Sequence, residues 1–206
     1  MSLPSDTELH DLVHRVVQRA LVGDRSGRLP QPVGPDSKSR SNPIADEPQG
    51  NHPEPVVALG ADHGGFALKQ ALAAYLQEQG YKITDCGTHS TKSVDYPDFA
   101  FAVARLVSQK QAWRGIVIDG AGIGSCMVAN KVPGVRAAMC YDQATAINSR
   151  EHNNANVLSL GAKMISENQA RQIANIWLTT LFGGDRHARR LDKMMAIEEM
   201  YLKNKD

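Results

Sequence analysis

Cysteine is scarce in this chain. Cys86, Cys126 and Cys140 form an odd set at scattered spacing. They make neither a disulfide framework nor a CxxC metal pair, and they suit a reducing cytosol. Long apolar runs are missing as well. None approaches the ~20 residues that cross a bilayer, which excludes a helical membrane protein. The N-terminus has no apolar core of a secretory signal. Nor is there an excess of charge of one sign, since 23 Lys and Arg face 22 Asp and Glu. That balance excludes a chain-wide nucleic-acid or membrane footprint, though not a local basic patch. Two nucleotide signatures are absent too. The glycines at 120–124 read GxGxG rather than GxGxxG, and no GK[ST] follows them, so neither the dinucleotide fingerprint nor the Walker loop is met. No internal repeat is apparent.

Proline is present but unevenly placed. Seven of the ten prolines (Pro30, Pro32, Pro35, Pro43, Pro48, Pro53 and Pro55) fall in one stretch, together with several Gly and Ser. Such a stretch buries too little apolar surface to offset its ordering entropy and reads as an extended, disordered linker. The chain therefore divides into a head over 1–22, a linker over 23–54 and a core over 55–206, about 150 residues and a common single-domain size.

In the head, Leu9, Leu12, Val13, Val16, Val17, Ala20 and Leu21 recur at the spacing of one helical face. Ser5 and Glu8 fit a capping box, early acids and later arginines complement the helix dipole, and Gly23 is a stop. An amphipathic helix this short needs a partner for its stripe. The partner is the chain's own core, another copy of the helix, or a groove on another protein. Three early acids argue against a mitochondrial transit peptide.

The core alternates strand and helix patterns. Apolar runs at 56–60, 81–86, 115–119, 135–139 and 156–160 read as strands. Helical patterns occupy 66–79, 99–107, a short piece through Asn130, 142–151, 166–181 and 186–203. This predicts a five-stranded parallel sheet covered on both faces, a three-layer αβα Rossmann-like sandwich. Ligands bind such sheets beyond the carboxyl ends of the strands. Asp62 and Asp119 stand at two of those ends, and an order 2-1-3-4-5 would make their exit loops converge.

Several motifs carry chemistry. Gly120-Ala121-Gly122-Ile123-Gly124 is a strand-to-helix loop whose backbone can approach an anion; a tight turn alone would also need glycine. Asp62-His63-Gly64-Gly65 puts an acid and an imidazole on one exit loop, although Asp62 would serve equally as a helix cap. Arg150-Glu151-His152-Asn153-Asn154 places a second imidazole before the fifth strand. Arg186 and Arg190 share a helix face suited to phosphate, or simply to solvent.

Taken together, Val56 through Lys69, Asp95-Tyr96-Pro97, the glycine loop, Ala129 through Arg136, Arg150 through Val157 and Gly184 through Arg190 resemble, in order, the type B ribose-5-phosphate isomerases and the related galactose-6-phosphate isomerase subunits. The resemblance covers 55–200 and none of 1–50. It implies metal- and cofactor-free interconversion of aldose and ketose phosphates through a cis-enediolate, in a homodimer or tetramer whose active site is shared between subunits. It implies ring opening by His152, with Asp62, His63 and Tyr96 near the sugar. Backbone N–H groups around Gly120, Gly122 and Gly124 would hold the enediolate and Asn153 would contact the sugar. Arg186 and Arg190, assisted by Arg136 and with His187 close by, would bind phosphate. Ribose 5-phosphate and ribulose 5-phosphate are the implied pair, with a hexose phosphate the nearest variant. The head and linker resemble the encapsulation peptides that direct enzymes into bacterial microcompartments. That implies shell proteins as partners of 5–21 and a bacterial cytoplasm, inside such a compartment, as the location.

The chain departs from its relatives at the carbon base. Many members carry cysteine where Asp119 stands, and others carry glutamate where Ser125 stands. The usual hydroxyl two residues after Asp119 is replaced by Ala121. Asp119 is then the expected base, with a pKa raised by a dry pocket, and Ser125 joins it among the catalytic positions. Cys126, expected inside the following helix, is the rescue base. A catalytically silent sugar-phosphate-binding paralogue is the competing reading.

Overall fold

The computed structural model describes residues 55–203. The expected head helix and nearly all of the linker lie outside the described residues. Within them, five strands alternate with helices: β1 (Val56–Ala61), α1 (Phe66–Glu78), β2 (Lys82–Asp85), α2 (Tyr96–Ser108), β3 (Arg114–Asp119), α3 (Ile123–Ala129), β4 (Ala137–Met139), α4 (Gln143–Glu151) and β5 (Val157–Gly161). Two helices, α5 (Glu167–Thr179) and α6 (Asp185–Lys203), follow. All strand pairs are parallel.

Strand periodicity builds the three layers. Val57, Leu59, Ile116, Ile118, Leu158 and Leu160 point to one face, where Leu72 and Leu76 of α1, Ala146 of α4 and Ile173, Ala174 and Trp177 of α5 cover them. The intervening Ala58, Val117 and Val157 point to the other face, under Ala100, Val103 and Ala104 of α2 and Ala129 of α3. Each fully buried Leu or Ile contributes about 1.5–3 kcal/mol relative to exposure.

The order across the sheet is β2-β1-β3-β5-β4, not 2-1-3-4-5. The physical reason lies in the two strands themselves. Every residue of β5 is buried, so it needs cover on both edges. The three residues of β4 are only half-buried, as suits a short edge strand. The adjacency of β1 and β3 is unaffected. The second helix also begins earlier than its apolar pattern suggested, because Pro97 sits in its first turn, where a missing N–H costs nothing.

An ion pair with one buried member, Lys69, braces the chain beside the end of β1. Lys69 Nζ, fully buried on α1, donates to both oxygens of Asp85 at 2.5 Å. Asp85 also accepts from the Gly87 amide at 2.8 Å, and Ala61 exchanges backbone bonds with Gly87 and Thr88. Removing one member of such a pair strands a buried charge, so the residue preceding Asp62 is held firmly.

Candidate active site

The carboxyl edge of the sheet carries the first group of side chains. Asp62 follows β1, is nearly buried, and accepts the Gly65 amide at 3.0 Å; it braces the turn before α1, whose N-cap is Gly65 and not Asp62. His63 is exposed, with Nδ1 3.2 Å from the Val94 carbonyl oxygen. After β3, the glycine loop turns into α3. Gly122 adopts φ +82°, and a Cβ there would meet the backbone of Leu160 and Gly161 at 2.9 Å. Its carbonyl accepts from the Ser159 hydroxyl at 2.6 Å, which ties the loop to β5. The ring of Tyr96 lies over Gly124, where a Cβ would approach its Cζ to 2.6 Å. Glycine at 124 is therefore what lets Tyr96 close over the loop.

Asp119 is 6% exposed and organises this loop. Its Oδ1 accepts from the amides of Ala121 (2.9 Å) and Gly122, and its Oδ2 from that of Ser125 (2.8 Å). Burial pushes the carboxyl up, but the hydroxyl and amide of Ser125 and the amides of Gly122 and Ala121 outweigh it and hold the pKa below the usual carboxylate value. The expected upward shift is thus reversed, because the dry pocket comes with its own hydrogen-bond donors. The expectation that the Gly122 amide would hold an enediolate is corrected for the same reason. That N–H is given to Asp119, and the enediolate reading narrows to the amides at Gly120 and Gly124. Ser125, 2% exposed, serves Asp119 rather than facing the cleft.

Lys163 also belongs to this edge, and sequence reasoning missed it. It follows β5, its amide donates to the Gly120 carbonyl at 2.9 Å, and its stem runs within 4 Å of where a Gly120 Cβ would stand. The strand-end rule that singled out Asp62 and Asp119 would have found it.

The second group lies at the opposite edge. His152 caps α4, ahead of β5. Asn148, one turn earlier and also missed, brings its side-chain amide within 2.8 Å of His152 Nδ1. With Nδ1 accepting, Nε2 carries the proton of the neutral ring. His152 stacks on His187 of α6, ring centroids 4.2 Å apart. Arg186 Nε donates to His187 Nε2 at 3.3 Å. Burial, aided by the neighbouring His152 ring and the positive charges of Arg186 and Arg190, lowers the His187 pKa and favours its neutral form. Asn148, His152, Asn153, His187 and Arg190 line a cleft with Leu191 and Met194. Arg136 does not join them. Its Nε donates to the Asn154 carbonyl at 2.9 Å and its Nη1 approaches Gly134 and Met195, so it ties the turn to α6.

The cysteines stand apart from both groups. Cys126 lies in α3 with Sγ 3.5 Å from the Ala137 carbonyl, and burial raises its pKa, as it does for Cys86. Burial pushes Cys140 up to about 11. A base in waiting needs the opposite shift. Among the described residues no cluster of three metal-ligating side chains occurs, and no helix is long and apolar enough to cross a membrane.

Comparison with known proteins agrees with this geometry. A family model for ribose/galactose isomerases matches residues 57–194. The putative sugar phosphate isomerase YwlF of Bacillus subtilis is 43% identical over 147 residues, 71% of this chain and 99% of that protein. Ribose-5-phosphate isomerase B of Escherichia coli is 39% identical over 143 residues, 69% of this chain and 96% of that protein. The solved structure of Clostridium thermocellum ribose-5-phosphate isomerase B superposes with a TM-score of 0.70 at 46% identity, covering 71% of this chain and 99% of that one. On its sequence, its fold and the order of its site-bearing loops, the chain belongs to the ribose/galactose isomerase family.

Proposed function

We propose that the protein interconverts an aldose phosphate and its ketose phosphate, ribose 5-phosphate and ribulose 5-phosphate foremost, in a site shared between two copies of the chain. One observation carries this reading: the two groups of side chains lie at opposite edges of one sheet. The five residues of β5, at about 3.3 Å each, already put ~16 Å between the edges, and His152 stands further out still. A pentose phosphate bridges neither that distance nor the sheet itself. A two-fold pair would bring the Asp119 edge of one copy to the His152 edge of the other, making two equal sites.

Each group then has a task. His152 Nε2–H protonates the ring oxygen while the anomeric hydroxyl passes its proton to water, which returns it to the imidazole, and the ring opens. Asp119 takes the C2 proton on a carboxylate oxygen, trading one of its amide or hydroxyl donors for it, and the electron pair flows onto the C1 oxygen. The resulting cis-enediolate, its C2 hydroxyl intact, is held by the Gly120 and Gly124 amides, with the Lys163 stem beside Gly120. The C2 hydroxyl proton passes to the C1 oxygen within the cis pair, and return of the proton from Asp119 to C1 leaves C2 as the carbonyl of the ketose. Asp62, His63 and Tyr96 surround the sugar and Asn153 contacts a hydroxyl. Arg186 and Arg190 take the phosphate beside a neutral His187, and so supply binding energy away from the reacting carbons.

The experiment combines a substrate panel with mixed variants. Tetrose, pentose and hexose phosphates are followed by product NMR in deuterated water; an isomerase exchanges deuterium into C2, whereas a silent binder does not. Assayed from the ring-closed aldose phosphate, Asp119→Asn and His152→Asn are each expected to be nearly inactive. Co-expressed, they should recover roughly a quarter of wild-type activity, because half the dimers are mixed and each mixed dimer holds one intact site. Absence of any recovery counts against the shared site.

We also propose that residues 5–21 dock on microcompartment shell proteins, with 23–54 as the tether. The apolar stripe and the proline-rich stretch support this. Fusing residues 1–50 to a fluorescent protein should make it co-purify with shells, and equal retention of the unfused reporter would refute the assignment.

A further inference from the structure

Two arginines are buried inside this domain: Arg114, 2% exposed, and Arg150, wholly covered. Both grip the C-terminal end of α5, where the open carbonyls and the helix dipole favour a cation. Arg114 Nη1 donates to the carbonyls of Trp177 (2.8 Å) and Leu178 (3.0 Å). Arg150 Nε donates to the carbonyl of Thr180 at 3.2 Å. The indole of Trp177 lies between them, with the guanidinium carbons of Arg114 and Arg150 at 5.2 and 5.8 Å from its ring.

Arg150 does something more. Its Nη1 also donates to Asn154 Oδ1 at 2.8 Å and to the Ala155 carbonyl at 2.6 Å. Asn154 is buried and holds a left-handed φ of +46°, a conformation that needs outside support for any residue but glycine. The turn so fixed carries His152 and Asn153. On its other side, Thr180 opens the segment that leads to Gly183 and Gly184, whence α6 presents Arg186, His187 and Arg190. That segment is tied back by the Gly183 amide, which donates to the Glu151 carbonyl at 2.9 Å. The single guanidinium therefore touches both pieces of chain whose side chains meet in the cleft.

We propose that Arg150 is a positioning residue. Its buried guanidinium sets the His152–Asn153 turn against the start of α6, and so holds His152 in register with His187. A planar fork with several fixed donors can bond two separate segments at once; a lysine in its place would keep the charge but lose that simultaneous geometry. The proposal rests on the reading of His152 as the ring-opening group, because that is what gives its register a kinetic consequence.

The test uses the full chain and three variants. Arg150→Lys keeps the cation but not the fork. Asn154→Gly removes the Oδ1 acceptor at a position whose backbone suits glycine. Arg114→Lys is the control, weakening the grip on the same helix end. Imidazole NMR of the ligand-free protein reads the His152–His187 contact through its ring-current shifts and cross-relaxation. Steady-state kinetics on the cyclic aldose phosphate reads the consequence. Arg150→Lys and Asn154→Gly are expected to shift the His152 resonances in the same direction and weaken the contact. In both, kcat should fall by about 10- to 100-fold, the effect of an ångström-scale misplacement. Arg114→Lys should lower the melting temperature while leaving the resonances in place. If Arg114→Lys moves them equally, or if Asn154→Gly and Arg150→Lys leave both contact and kcat unchanged, Arg150 is only structural. The NMR arm reads Arg150 even if the function assigned to His152 is wrong; that separate failure would show as His152→Asn keeping full turnover on the cyclic substrate.

Discussion

His152→Asn is expected to lose about 10²- to 10⁴-fold in turnover on a ring-closed aldose phosphate, the usual contribution of a positioned acid–base group. The loss should be much smaller when the reaction starts from the ketose. Ribulose 5-phosphate has its C5 oxygen blocked by phosphate and stays open, so that direction needs no ring opening before proton transfer. The asymmetry separates a ring-opening residue from one that holds the phosphate, whose removal would raise KM in both directions. It is read by measuring initial rates from each side, with the open-chain aldose allowed to close spontaneously. Equal losses in both directions would remove His152 from this role. Melting curves should be nearly unchanged, since the His152 ring is partly exposed and its bonds are to Asn148 and the His187 face.

Asp119→Asn should be at least as damaging, and Asp119→Cys more informative. The asparagine has one acceptor oxygen where the carboxylate offers two to three amides, and its nitrogen cannot take a proton from carbon. A loss of about 10³-fold or more in kcat is expected, with sugar-phosphate binding largely retained. The pH dependence carries the sharper test. Asp119 titrates below the usual carboxylate value, because the Ser125, Gly122 and Ala121 donors prevail over burial. A base is active when deprotonated, so activity should persist down through the ordinary aspartate range and fail only below it. In Asp119→Cys, the acidic limb should move up toward the thiol range, near a pKa of about 8.5. An unmoved limb, or an Asp119→Asn variant that keeps kcat but loses stability and KM, would leave Asp119 as an anchor of the loop and nothing more.

Most of the architecture was legible in the residue pattern, for reasons that particular elements illustrate. The β1 and β3 runs are mostly apolar because both faces are covered, and the helical pattern over 166–181 is α5, which the structure shows opened by a Ser166–Gln169 capping box. Strand order was not legible. Nothing local distinguishes β4 from β5 as the edge; the decision is made by how many of their residues find cover on both sides. In the site, Asp62 and Asp119 are legible at strand ends, whereas Lys163 and Asn148 escaped notice and the partner of each side chain is not legible. Arg136 reads as a spare cation in sequence and is tied to Asn154 and α6 in space. Ser125 reads as a lone hydroxyl and proves to be a donor to Asp119. Hydrogen-bond partners across 18 or more positions, as for Arg136 and Asn154, leave no periodic trace for pattern reasoning to follow.

The three thiols, all pushed toward their protonated forms, have a consequence for the setting in which such a protein works. Reactive aldehydes, quinones and peroxides silence enzymes by capturing a thiolate. Under the proposed mechanism the groups that do the chemistry are a carboxylate, imidazoles and backbone amides, and the three thiols take no part in it. Under that assignment, capture of a thiol by an electrophile would spare the reacting groups themselves.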